Sequence, residues 1–309
     1  MRIIVAGGAG FIGSHLCDFL IQRGDSVICV DNFGTGHIAH INHLLKNKNF
    51  KLIRHDITIP FKILGPIDRI YHLASRASPI DYQNFPVETA LSNSIGTYNL
   101  LNLAQEKRCP LLFTSTSEAY GEPKEHPQKE TYWGNVNPVG LRSCYDESKR
   151  FGEALLMAYK RQYDADVKIV RIFNTYGPRL RPGDGRVISN FILQCLRGEP
   201  LTVYGTGKQT RSFCYVSDMV LGLHKMMESK QTGPKNLGNP GEFTILELAN
   251  KIKKITKSKS KIVYQPLPAD DPTKRRPDIS KARSLLGWEP KVNLDEGLKK
   301  TIEWFKTLN

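Results

Sequence analysis

The chain has 309 residues, 40% hydrophobic and 24% charged, the proportions of a soluble globular protein long enough to bury a sizeable core. Lys and Arg number 44 against 30 Asp and Glu, a net charge of +14 that suits a polyanionic small ligand; the densest run, 251–261, alternates with apolar residues and reads as a solvated helix face, not a nucleic-acid patch. No apolar run nears the ~18 residues of a membrane span, the first strand starts at Arg2 with no room for a leader, and six scattered cysteines without a CxxC pair predict a reduced, cytoplasmic protein with no metal cluster or disulfide framework.

Residues 2–6 predict a strand, and Leu16, Phe19, Leu20 and Ile21 give helical spacing over 14–23. Between them lies Gly7-Gly8-Ala9-Gly10-Phe11-Ile12-Gly13. Strand, glycine turn and helix together predict a dinucleotide site. Gly7 allows the tight turn, Gly10 the approach of a pyrophosphate and Gly13 close packing of helix on strand, with helix amides such as those of Phe11 and Ile12 facing the phosphates. A second strand, 26–30, ends at Asp31, whose carboxylate can accept both ribose hydroxyls of NAD and would repel the 2′-phosphate of NADP. Residues 32–36 hold no Arg or Lys to reverse that choice; Asn32, Phe33, Thr35 and Gly36 are expected to complete the cofactor loop.

Further strands end at positions suited to ligands, as an open parallel sheet requires. Strand 50–54 leads to Asp56 and Ile57, expected to flank an adenine, and strand 69–72 to Leu73, Ala74 and Ser75, small enough to let the cofactor pass. His72 reads as a packed, hydrogen-bonded imidazole. Residues 86–106 predict one long helix, and strand 109–115 runs into Thr116-Ser117-Glu118, where a hydroxyl can hold a sugar hydroxyl and a carboxylate can move protons. After a Pro- and Gly-rich loop, a helix from 144 carries Tyr145 and Lys149, four residues apart on one face. An ammonium beside a phenol lowers the phenol's pKa, which would prepare Tyr145 as a general base. Strand 167–173 completes an α/β, doubly wound parallel-sheet (Rossmann) pattern. A smaller C-terminal substrate-binding lobe follows, with helices at 187–196, 217–228, 244–255 and 294–308 and a strand at 201–204. The expected division is therefore 1–173 for the cofactor and 174–309 mainly for the substrate, with chain crossovers between them.

Taken together, GGAGFIGSH at 7–15, STSEAYG at 115–121, YWGNVNPVGLRSCYDESKR at 132–150, RIFNTYGPR at 171–179, DGRVISNFI at 184–192, EPLTVYGTGKQTRSF at 199–213 and DDPTKRRPDISKA at 270–282 resemble an extended short-chain dehydrogenase/reductase, most closely the UDP-glucuronate decarboxylase branch. The resemblance covers essentially the full length. It implies that Tyr145, with Lys149 and Thr116, removes the C4 hydroxyl proton as NAD accepts the C4 hydride, that Ser117 and Glu118 serve the steps at C5, and that Arg275 holds the hexuronate. By residue type alone, Arg275 and Arg276 read as a basic surface turn before Pro277. The resemblance further assigns Asn174, Arg186, Val187, Tyr204, Gln209 and Arg211 to UDP; Tyr204 reads equally well as core at a strand end. It also implies a homodimer built on the helices at 86–106 and 144–163. Three neighbouring activities share the scaffold: a decarboxylase that releases the 4-keto pentose, a 4-epimerase, and a 4,6-dehydratase. The dehydratase would carry an aspartic acid where this chain has Ser117.

Overall fold

The protein is described from a computed structural model covering residues 1–267 and 274–308, so the first four residues of the 270–282 segment lie outside the described residues. Strands Arg2–Ala6, Ser26–Asp31, Phe50–Arg54, Arg69–His72, Leu111–Thr116, Val167–Ile172 and Lys235–Leu237 form one seven-stranded sheet, every neighbouring pair parallel. In space Arg2–Ala6 lies between Ser26–Asp31 and Arg69–His72. Strand order reverses at that point, which opens a crevice at the carboxyl ends of the strands.

Both faces of the sheet are covered, so the strands are apolar without alternation. Ile3 and Val5 point into a core shared with Leu16, Cys17 and Leu20 of helix Phe11–Gln22 and with Val220 and Leu223 of helix Val216–Glu228. Ile4 and Ala6 point the other way, onto Leu100, Leu103 and Leu156 of helices Ile95–Lys107 and Ser143–Tyr163. Each such large side chain, fully buried, contributes about 1.5–3 kcal/mol.

The helix expected at 86–106 is two helices, Pro86–Asn93 and Ile95–Lys107. At the break the Ser94 hydroxyl donates to Ala90 O at 2.7 Å and that of Thr97 to Asn93 O at 2.7 Å, back-bonds that compete with the helical ladder. An additional helix, Pro79–Asn84, starts where Ser78 caps the Asp81 amide. Strand Lys235–Leu237 pairs with Val167–Ile172, so the chain returns to the central sheet long after residue 174. In the lobe, Thr210–Ser212 lies between Glu242–Thr244, antiparallel, and Lys274–Arg275, parallel, and this places Arg275 beside Arg211.

Candidate active site

A cavity of about 760 Å³ runs along the crevice from the glycine loop to the lobe. Gly7 has φ +82°, and a Cβ there would stand 2.6 Å from Ala74 N; one on Gly13 would stand 2.0 Å from Gly7 O. Any side chain would therefore push the loop off the sheet. Gly10 is the N-cap of helix Phe11–Gln22 without a side-chain cap, which leaves first-turn amides to meet an anion. Asp31 accepts from the amides of Ala9 at 2.9 Å and Phe33 at 2.8 Å. Burial nevertheless pushes its carboxyl up from the ordinary value. Asn32 donates to Asp56 at 2.9 Å and closes the side expected for adenine. Glycine cradle, uncapped helix start and anchored carboxylate fit a dinucleotide cofactor.

Gly7, Gly10, Phe11, Ile12, Gly13, Asp31, Asn32, Thr35, Asp56, Ile57, Leu73, Ala74 and Ser75 all line this cavity, whereas Phe33 and Gly36 do not. Those two support Asp31 instead: Phe33, at φ 61°, donates its amide to the carboxylate, and Gly36 leaves room for Oδ1, which a Cβ would approach to 2.9 Å. A cation does reach this loop from elsewhere. Arg76 donates to Gly34 O at 3.1 Å and stacks its guanidinium 4.3 Å from the Phe85 ring centroid.

Tyr145 and Lys149 lie on helix Ser143–Tyr163, with Tyr145 stacked on Tyr82 at 5.2 Å between centroids. Their expected electrostatic relation needs correcting. Burial, relieved in part by a hydrogen bond with Thr116, pushes the Tyr145 phenol up to about 12. Burial also brings Lys149 down to about 7, and its Nζ donates to Thr114 O at 2.8 Å and sits 5.9 Å from the Tyr145 ring centroid. In this state, loss of water dominates both groups. His72 is fully buried, with Nε2 3.0 Å from the Thr97 hydroxyl, a packed imidazole.

Beside this pair stands an ionic cluster. Glu118 Oε2 is gripped by Arg142 and also accepts from Arg275 Nη2 at 3.3 Å; Arg275 Nη1 donates to Ser117 O at 2.9 Å. Burial would raise the Glu118 carboxyl, but Arg275, Arg142 and Arg211 bring it down to about 2. The next carboxylate, Asp146, is pushed up to about 7 by burial and by Glu118, and its Oδ1 is buried without a hydrogen-bond partner among the described residues. Arg275 is 1% exposed, so it is an interior residue and not a surface turn, placed behind Glu118 and off the cavity wall. Arg276 takes a different path: its amide donates to Gln128 at 2.8 Å. Arg142 was absent from the expected site. Its signal was present, since it lies three residues before Tyr145, one helical turn away.

Asn174, Arg186, Val187, Tyr204, Gln209 and Arg211 line the lobe side of the cavity. Arg186 precedes helix Val187–Arg197, whose N-terminus has no side-chain cap. Tyr204 is 43% exposed, an edge residue and not core, and Gln209 donates to its carbonyl at 2.6 Å. Arg179 and Arg181 also line the cavity, held by Asp18 and Asp81 at 2.7 Å each.

Residues 4–301 match the family model described as GDP-mannose 4,6 dehydratase. Among curated proteins, the chain is 57% identical to UDP-glucuronic acid decarboxylase 1 of Arabidopsis thaliana, covering 99% of this chain and 70% of that one. It is 54% identical to UDP-glucuronic acid decarboxylase 1 of Danio rerio, covering 98% and 72%. Among solved structures, UDP-glucose 4-epimerase of Thermotoga maritima superposes with a TM-score of 0.92 at 35% identity, and UDP-glucuronic acid 4-epimerase of Bacillus cereus, in complex with UDP-glucuronic acid and NAD, with 0.90 at 32%; both comparisons cover 100% of each chain. The chain belongs to the UDP-glucuronic acid decarboxylases.

Proposed function

We propose that this protein is an NAD-dependent decarboxylase that converts UDP-glucuronate to UDP-xylose. The observation that carries the reading is the joining, in one cavity, of an oxidation site (Tyr145, Thr116, Lys149) to a two-arginine carboxylate site at Glu118. NAD, when bound, accepts the C4 hydride and later returns it. Tyr145, whose ionisation Thr116 favours, receives the C4 hydroxyl proton, and Lys149, one helical turn on, is held by Thr114 O beside it. The C4 ketone is then β to the carboxylate, so the C5–carboxyl bond can break with its electrons flowing into the ketone. Arg275 and Arg142 orient that carboxylate. Glu118 delivers to C5 the proton that replaces carbon dioxide, and Tyr145 returns one to the C4 oxygen.

The diphosphate is assigned to Arg211, Arg186 and the start of helix Val187–Arg197, where guanidinium and amide donors meet. Asn174, Gln209 and Tyr204 are assigned to the uridine, giving a cofactor-binding part at 1–173 and a mainly substrate-binding part at 174–309. Ser117, where a dehydratase needs an acid, disfavours loss of water.

Incubation with UDP-glucuronate and NAD, followed by carbon dioxide release, NADH absorbance and NMR of the sugar, tests this reading. Stoichiometric carbon dioxide and UDP-xylose with almost no accumulated NADH is expected. Lasting NADH with a keto pentose would make it the releasing enzyme; UDP-galacturonate would make it an epimerase.

Tyr98 of helix Ile95–Lys107 and Phe151 and Tyr163 of helix Ser143–Tyr163 are each about half exposed, an apolar strip that supports a homodimer. Sedimentation equilibrium of Phe151→Asp, expected to be monomeric, checks this. Six free cysteines, five of them buried, suit a reducing cytoplasm. Among the described residues no helix is long and apolar enough to cross a membrane.

A further inference from the structure

We propose that binding of the uronate places a proton on Glu118: the substrate carboxylate takes over the guanidinium groups of Arg142 and Arg275, and Glu118, losing its counter-ions and facing a new anion, takes up from solvent the proton that C5 later receives. This inference rests on the decarboxylase reading above.

Stoichiometry requires such a proton. Decarboxylation turns R–COO⁻ and one H⁺ into R–H and carbon dioxide, so each turnover consumes a proton that must be held close to C5. Glu118 is placed to hold it, yet the free site forbids it. Two guanidiniums converge on Oε2 from different elements, Arg142 from the start of helix Ser143–Tyr163 and Arg275 from strand Lys274–Arg275. Arg211 adds its charge from the neighbouring strand, and the Ser117 hydroxyl reaches Oε1 at 3.3 Å. With these in place the Glu118 carboxyl is held down to about 2, so the free site keeps it ionised at neutral pH. The two guanidiniums on Oε2 must therefore be drawn off before Glu118 can carry a proton.

The free site also resembles its own complex, since a carboxylate already lies on the two arginines. Arg275 is fully buried and anchored to Ser117 O, so it cannot swing away to meet the substrate elsewhere. A uronate reaching it must share or displace Glu118, and two carboxylates at one cationic site do not both stay ionised. The remaining groups facing Glu118 are Tyr145 and Asp146 from the helix and Tyr82 from helix Pro79–Asn84. The two phenols stay neutral because burial raises both. Asp146 is the competing acceptor. It titrates at about 7 because of burial and then of Glu118, so above that pH it is largely ionised and does not supply the proton internally.

The test uses Tyr145→Phe loaded with NAD, titrated with UDP-glucuronate at pH 8 in buffers of different ionisation enthalpy. The calorimetric slope is expected to report about one proton taken up per site. UDP-xylose, which lacks the carboxylate, should give none. Adding Glu118→Gln should abolish the uptake, and adding Asp146→Asn should leave it intact. Binding of UDP-glucuronate without uptake overturns the proposal, as does uptake that survives Glu118→Gln or disappears with Asp146→Asn. Stopped-flow of the unmodified enzyme with a pH indicator provides a second route. Proton uptake should precede carbon dioxide release, and simultaneous or later uptake overturns the proposal. Carbon dioxide from the wild type tests the activity separately, so failure of the proton linkage and failure of the functional reading are distinguishable.

Discussion

Tyr145 and Lys149 are each driven toward the neutral form, the phenol up to about 12 and the ammonium down to about 7, because burial removes the water that would stabilise either charge. Tyr145→Phe should therefore cost about 10²–10⁴ in turnover while NAD still binds, as measured by steady-state rates and cofactor titration. Asp146 is raised as well, and for a raised carboxyl the stabilising contribution is present below its ordinary value near 4 and lost as pH climbs to about 7. Asp146→Asn mimics the protonated form at every pH. Its melting temperature relative to wild type should rise by several degrees between pH 4 and 7 and level off above; an offset independent of pH would sink the assignment. Arg275 is buried against Glu118, so Arg275→Met should cost about 3–5 kcal/mol, much of it restored by adding Glu118→Gln. Denaturant titration of the two single variants and the double variant measures this. Arg275 was not readable from its neighbours alone, because a Lys-Arg-Arg-Pro run looks the same on a surface turn as in the interior. Only the pairing with the Arg211 strand turns it inward.

Among the elements, the legible ones are those set by local constraint. The glycine loop is read directly because Gly7 and Gly13 answer to backbone approaches that no other residue permits. Gly13→Ala would bring a Cβ within 2.0 Å of Gly7 O and should weaken NAD binding at least tenfold by isothermal titration. Helix Ile245–Thr256, expected at 244–255, is fixed at its start by a capping box of Thr244 and Glu247; Thr244→Ala should cost about 1 kcal/mol in urea unfolding. Helix Pro79–Asn84 and strands of two or three residues went unread because they are shorter than the period that would reveal them. The break at Ser94 escaped for another reason: apolar periodicity continues across it, and only two hydroxyl back-bonds mark it.

At the scale of the molecule, strand Lys235–Leu237 completes the sheet and helix Val216–Glu228 covers the glycine-loop helix, so residues 1–173 lack part of their own core. Expressed alone, 1–173 should bind hydrophobic dyes and unfold without a cooperative transition; a sharp melt would show that the first half is self-sufficient. The alternation of strands and helices made the parallel sheet foreseeable. That its edge strand comes from residues 235–237 was not, since three residues carry no pattern.

The pairing of Lys274–Arg275 with Thr210–Ser212 has a further consequence for substrates smaller than the natural one. Arg211, assigned to the diphosphate, and Arg275, assigned to the sugar acid, are opposite one another on a single ladder, so the handle that seats the nucleotide and the group that aligns the bond to be broken are mechanically joined. Glucuronate 1-phosphate, lacking the nucleoside and one phosphate, should therefore lose maximal rate as well as affinity, because energy gained at the distant end is spent on orientation at the reacting carbon.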